Sequence, residues 1–328
     1  MKDWRYIVAE QRGTLLAMAL FLIMFTVYVT NHPAGFTANV VQTAANKGVI
    51  LALVAMAQSF VVLTAGIDLS VGMVFILANC VGSYVLAGTS LEIGFGVVLV
   101  MLTGAACGAL NGLIVIFGRL QPIITTIATG AIFFGLALWL RPYPGTTEDF
   151  GADLADALTG KVFGTVPASL VFLAVVVLVI WVPFRRSMMG RTVYAIGSSD
   201  QAAYMSGLPV RKARFTAFVL SGLLASLGGL YLTFFTYSGE ASLANGDNYT
   251  LYSIASVVLG GVSLYGGRGS AIGAIFGALA FRAIGDLLFV FDLDPLWQPL
   301  FQGIVLALAV TLGAARLFQV RNRLELFS

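Results

Sequence analysis

The chain has 328 residues, of which 59% are hydrophobic and only 10% charged, and its mean hydropathy is +0.94. A soluble domain carries about 25% charged residues, so composition excludes an ordinary soluble protein. The net charge of +3 says little; where the charges fall says much more.

The N-terminus (Lys2, Arg5, Arg12, then an apolar run to about Val29) resembles a signal peptide. The run is long and no small-x-small cleavage site follows it cleanly, so it reads as an uncleaved first span. Apolar runs of spanning length, roughly 17–25 residues, recur along the chain. Ten spans are expected, near 13–30, 48–66, 70–88, 93–117, 122–140, 167–184, 213–235, 251–266, 270–290 and 297–315. The second and third nearly abut, and the eighth is short and ends in glycines.

Charge sorting tests the count. With the N-terminus in the cytoplasm, Lys2, Arg5, Arg12, Arg119, the basic residues of 185–214, Arg268, Arg316, Arg321 and Arg323 fall inside. Lys47, Arg141 and Lys161 fall outside. So do the acids Glu92, Glu148, Asp149, Asp153, Asp156, Glu240, Asp247, Asp292 and Asp294. Both termini are therefore expected in the cytoplasm. The outer loop 141–166 should carry a short helix near Asp153–Leu158.

Glycines at four-residue spacing (Gly104, Gly108, Gly112 and Gly269, Gly273, Gly277) predict close helix packing, within the chain or between subunits. VVLTAGIDLSVG (61–72) is weakly echoed by VVLGGVSLYGG (257–267). Cys80 and Cys107 sit in apolar runs and read as packed core thiols.

The most distinctive polar segment is 185–214. It holds Arg185, Arg186, Arg191, Arg211, Lys212 and Arg214 against one acid, Asp200. Ser198 with Gln201 three residues on predicts a helix start, and Gly207 followed by Pro209 predicts its stop. The expected helix spans about two turns, roughly 12 Å at 1.5 Å per residue, and is too short to stand alone in water.

Two acids fall at membrane depth, where ionisable groups are costly and functional by default. Asp286 lies four residues after Arg282 on one helix face, which predicts an internal ion pair. Asp68 sits in Ala65-Gly66-Ile67-Asp68-Leu69-Ser70-Val71-Gly72, where glycines allow a break and Asp68 or Ser70 can cap the next helix.

AGIDLSVG resembles the GGIDLSVG signature of permease subunits of ATP-driven sugar importers of the ribose/xylose/galactofuranose type. Residues 110–137, 190–210 and 254–279 are similar to the same family in the same order. Ala65 departs from the first signature glycine, and Ala57-Gln58-Ser59 stands where Gly-Gln-Thr is usual. Those departures are expected to touch the substrate-facing region, leaving the sugar open.

The resemblance implies an all-α polytopic permease of about ten helices, type II-like, forming one transmembrane domain over residues 1–328 in the bacterial inner membrane. It implies a second permease, cytoplasmic ATP-binding subunits and an external sugar-binding protein, periplasmic or lipoprotein. No cofactor is expected on this chain, because ATP and magnesium belong to the ATPase. By resemblance the helix at 199–206 is the coupling helix, with Ser199, Asp200, Gln201, Ala202, Ala203 and Gly207 meeting the ATPase. Ala202, Ala203 and Gly207 match the related Glu-Ala-Ala…Gly loop only in part. A neutral sugar needs hydroxyl, amide and aromatic partners. The candidates are Gln58, Ser59, Asp68, Ser70, Phe75, Asn79 and Asn111, with Gln121 and Tyr84.

Two rival readings are a cation-coupled transporter using Asp68 or Asp286, and an intramembrane aspartyl protease suggested by Ile284-Gly285-Asp286. The protease motif lacks its first glycine, since position 283 is Ala. There is no GxxxxGK[ST], HExxH or GxSxG motif, His32 is the single histidine, and nothing supports nucleic-acid binding.

Overall fold

The computed structural model describes residues 11–147, 150–308 and 311. Lys2, Arg5, Glu148, Asp149, Arg316, Arg321 and Arg323 lie outside the described residues.

The chain runs through α1 (Arg12–Asn31), α2 (Ala38–Val62), α3 (Val71–Val85), α4 (Ser90–Phe117) and α5 (Pro122–Leu140). A short helix α6 (Ala152–Thr159) and a small hairpin, β1 (Lys161–Val162) with β2 (Val166–Pro167), precede α7 (Ala168–Arg186). Then come α8 (Met188–Ser198), α9 (Asp200–Met205), α10 (Val210–Thr236), α11 (Leu243–Leu259), α12 (Ala271–Val290) and α13 (Gln298–Leu308). Among the described residues seven helices are long and apolar enough to cross a membrane: α1, α2, α4, α5, α7, α10 and α12. Three shorter helices, α3, α11 and α13, stand where the other expected spans fall.

Local chemistry accounts for several boundaries. Thr89 and Glu92 form a reciprocal capping box at the start of α4. Pro122 opens α5, where a missing N–H costs nothing. In α7 a π-type turn at Val177–Trp181 ends two residues before Pro183. The wider turn relieves the clash of a proline ring with the carbonyl four residues back.

Two expected boundaries shift for the same reason. The expected span 48–66 starts at Ala38, because Asn39, Gln42, Asn46 and Lys47 belong to the helix and not to an outer loop. Gln42 Nε2 and Asn46 Nδ2 both donate to the Thr159 carbonyl at 2.7 Å, so the polar turns of α2 are occupied in holding α6. The expected span 251–266 is Leu243–Leu259, its polar first turns likewise helical.

From Gly48 to Val62 every residue of α2 is buried, as expected of a helix segment hydrophobic on all sides. On one side of it α10 packs with α3 and α4; on the other α12 packs with α1 and α11. The glycine stripe of α4 meets α10 within the chain: a Cβ on Gly104 would stand 2.3 Å from Gly222 O, and one on Gly108 2.2 Å from Phe218 O. Gly273 and Gly277 pack likewise against Gly260 and Ser256, whereas Gly269 precedes the helix.

Contacts sort the connections to two ends. Gly13, Leu63, Gly197, Gly261 and Gly267 meet at one, where Arg119, Pro122 and residues 200–214 also lie. At the other, Ala87 bridges Phe150, Gly145 bridges Gly239, and Tyr237 donates to Asp156. The expected outer helix forms there as α6.

Candidate functional site

The chain turns back sharply between α2 and α3. Helix α2 stops in a Schellman arrangement, with Gly66 N–H donating to Val61 O at 3.2 Å and Ala65 in the left-handed region at φ 62°. The departure from glycine at position 65 is therefore first a matter of backbone. A residue with a Cβ gives up about 1 kcal/mol or more there. Ala65→Gly is expected to raise the melting temperature of the purified protein in detergent by the equivalent of about 1 kcal/mol. A lowered melting temperature would mean that side-chain contacts at 65 outweigh the backbone term.

Past the turn, Asp68 is 2% exposed. Its Oδ1 accepts from Ser70 N–H (2.9 Å) and from Ser70 Oγ (2.6 Å), while Ser221 Oγ of α10 lies 3.5 Å from Oδ2. Asn111 Nδ2 on α4 donates to Ser70 Oγ at 2.8 Å, and its Oδ1 accepts from Thr129 of α5 at 2.6 Å. Thr126 Oγ1 accepts from Leu69 N–H (2.9 Å), and Thr250 Oγ1 of α11 accepts from Gly72 N–H (3.1 Å). Of the donors at the break, Leu69 N–H and Gly72 N–H are thus met by hydroxyls from neighbouring helices and Ser70 N–H by the Asp68 carboxylate, as lipid demands. Asp68 caps through Ser70 N–H, while Ser70 itself makes no side-chain cap.

This cluster brings together Asp68, Ser70 and Asn111 of the expected residues. It adds Thr126, Thr129, Ser221 and Thr250, which sequence reasoning missed. The signal for two of them was available in Thr125-Thr126-Ile127-Ala128-Thr129, hydroxyls spaced along one face of an apolar run. The other candidates lie elsewhere. Phe75 is a core ring packed 4.5 Å from Tyr249. Asn79 pins the loop at 238–240, donating to Thr233 and Ser238 O and accepting from Glu240 N–H. Ser59 bonds back to Met56 O. Tyr84 lies under the guanidinium of Arg141. Gln58 is 0% exposed with neither amide atom hydrogen-bonded.

The segment 187–209 holds two helices where one was expected. Ser187 accepts from Gly190 N–H and starts α8, which carries Gly190–Ser198. The expected Ser198–Gln201 box does not form, because Ser198 Oγ donates to Tyr194 O; Ser199 caps α9 instead, accepting from Ala202 N–H at 3.3 Å. Gly207, at φ 73°, ends α9 as expected, and Leu208 N–H donates to Ala203 O. Asp200 pairs with Arg214 at 3.3 Å across the start of α10. Ala203, expected on a docking face, is 3% exposed and packs inward. Ala202, Gln201 and Gly207 are exposed, and the largest projecting side chains of α9 are Tyr204 (73% exposed) and Met205 (78%). Between α9 and the two turns at 64–66 and 119–122 opens a cavity of about 1150 Å³, rimmed by Arg119, Arg211, Lys212 and Arg214 and reached by Gln121.

Arg282 and Asp286 make no contact within 4.0 Å of each other, so the expected ion pair is not formed. Both instead line an apolar groove of about 610 Å³ between α1, α2, α7 and α12. Among the described residues no group of His, Cys, Asp and Glu could hold a metal ion, and both cysteines are buried and free.

Among the described residues, seven apolar helices of spanning length, a turn held by the Asp68 carboxylate and hydroxyls of neighbouring helices, and a two-helix insert at one end mark a multi-pass membrane protein. Residues 40–310 match the family described as branched-chain amino acid transport system / permease component, and the chain belongs to that family. It is 34% identical over 309 residues to the ribose import permease protein of Bacillus subtilis, covering 93% of each chain. It is 32% identical to the D-allose transport system permease protein of Escherichia coli, over 92% of this chain and 91% of that one. The fructose import permease protein of Rhizobium meliloti is 30% identical over 91% of this chain and 83% of its own. No solved structure matches. As a permease component of a transport system the chain is a transport subunit and not an enzyme, and neither the cation-coupled nor the protease reading finds support.

Proposed function

We propose that this chain forms half of the membrane path of a binding-protein-dependent importer for a monosaccharide or related polyol. The relatives named for ribose, allose and fructose support the substrate class. The permease works beside a second copy or a sister chain, as ten spans with both termini in the cytoplasm. ATP and its magnesium bind a separate cytoplasmic ATPase. A loaded sugar-binding protein docks at the end bearing Asp153, Asp156 and Glu240. The neutral sugar passes groups near Gln58, Ser59, Phe75, Asn79 and the Asp68–Ser70–Asn111 cluster. The buried, unpartnered amide of Gln58 favours such a role, since an unmet buried polar group is retained where it has work to do.

The observation that carries the reading is α9. A six-residue helix projecting Tyr204 and Met205 from a basic, polar segment has no packing of its own to explain those two side chains. It is the element on which the ATPase acts, with Ser199, Asp200, Gln201, Ala202 and Gly207 around the two anchors. A double variant, Tyr204→Ala with Met205→Asp, should leave membrane insertion intact because both side chains are exposed. Loss of an interface anchor costs about 2 kcal/mol or more, or roughly 30-fold in affinity. The ATPase should therefore no longer co-purify with the permease. Co-purification at the parent level would remove α9 as the docking element.

A further inference from the structure

Three chain segments meet at the α8 end of the molecule with no side chain between them. A Cβ built on Gly197, next to the end of α8, would stand 2.1 Å from Gly267 N and 2.2 Å from Leu63 O. Gly267 N–H donates to that same Leu63 carbonyl at 3.0 Å. A Cβ on Gly266 would stand 2.7 Å from Gly197 Cα and 2.7 Å from Ala65 N. Three residues back on α8, the Tyr194 hydroxyl donates to Gly269 O at 2.6 Å. So α8, the 260–269 loop and the end of α2 touch backbone to backbone.

Such a contact differs mechanically from an ordinary packed one. Interdigitated side chains can change rotamer and absorb part of a displacement, whereas backbone against backbone has no such slack. The point of contact is also placed for use. On one side it is separated from α9 by Ser198 and Ser199; on the other, Leu63 and Ala65 lead within a few residues to Asp68, the centre of the buried polar cluster. We propose that Gly197, Gly266 and Gly267 are positioning residues for transport, a joint that delivers movement of the α8–α9 segment to the α2–α3 turn and its polar cluster. The proposal rests on the reading of α9 as the ATPase's point of action.

The test uses the permease purified with its ATPase, in a background lacking Cys80 and Cys107 and carrying Ala65→Cys, a position exposed at the turn. The readout is the rate of N-ethylmaleimide modification, with and without ATP, magnesium and vanadate. In this parent the rate should change at least about threefold on nucleotide trapping. Tyr194→Phe, which removes the hydroxyl that donates to Gly269 O and keeps the ring, should reduce that change by half or more while the ATPase still co-purifies. Gly197→Ala should abolish it; where that variant does not fold, Tyr194→Phe decides alone. An unchanged rate in the parent, or a full response in Tyr194→Phe, overturns the joint. Failure of the reading of α9 looks different: the ATPase then stays bound to the Tyr204→Ala, Met205→Asp variant.

Discussion

Asp68→Leu is expected to destabilise the permease by about 3 kcal/mol or more, since each buried polar group left unmet costs about 1–3 kcal/mol. Leucine leaves Ser70 N–H, Ser70 Oγ and Ser221 Oγ without the acceptor they now share. Asp68→Asn should cost far less. Its Oδ1 keeps both bonds to Ser70, and its amide can donate to the Ser221 hydroxyl, which accepts as readily as it donates. Thermal unfolding in detergent measures the difference, and stimulated ATP hydrolysis by the assembled complex should follow the same order. Equal stability of the two variants would show that the cluster does not hold the turn. An inactive but fully stable Asn variant would instead mark the charge itself as essential.

The second large effect concerns the face between α4 and α10. Gly108→Leu should prevent assembly of the helices, because the first atom of any side chain would stand 2.2 Å from Phe218 O and 2.9 Å from its carbonyl carbon. Backbone atoms cannot rotate aside. Even Gly108→Ala is expected to cost about 1–3 kcal/mol, the range for overpacked cores. Gly94, on the same helix with nothing within 4 Å of its Cβ position, is the control. There alanine should be neutral or stabilise by about 0.5–1 kcal/mol through helix propensity alone. Expression and monodispersity in detergent report the first effect, thermal unfolding the second. Equal behaviour at 94 and 108 would mean that the two helices are not held by this close approach.

Several features were legible in the sequence because they depend on neighbouring residues only. The apolar runs, the break at 65–72, the short helix near 153–158 and the stop at Gly207 all follow from local hydropathy, glycine and capping chemistry. Family membership was legible for a related reason, since its motifs are short contiguous strings. The glycine stripe on α4 announced close packing, but its partner, α10, lies more than a hundred residues further along.

Tertiary structure decided whatever depends on which groups meet. Asn39, Gln42, Asn46 and Lys47 read as a loop because helices in lipid are expected to be apolar, yet they form two turns of α2 whose amides hold Thr159. Ala203 and Tyr204 are adjacent in the chain, and only the packing of α9 against the bundle turns the first inward and the second outward. Arg282 and Asp286 had the spacing of an ion pair and did not form one, because spacing brings side chains to one face without choosing their rotamers. The polar cluster draws Asp68, Asn111, Thr129, Ser221 and Thr250 from segments far apart in sequence. Hydropathy and caps are properties of consecutive residues, whereas a hydrogen-bond partner across a helix interface is chosen by the packing of the whole bundle.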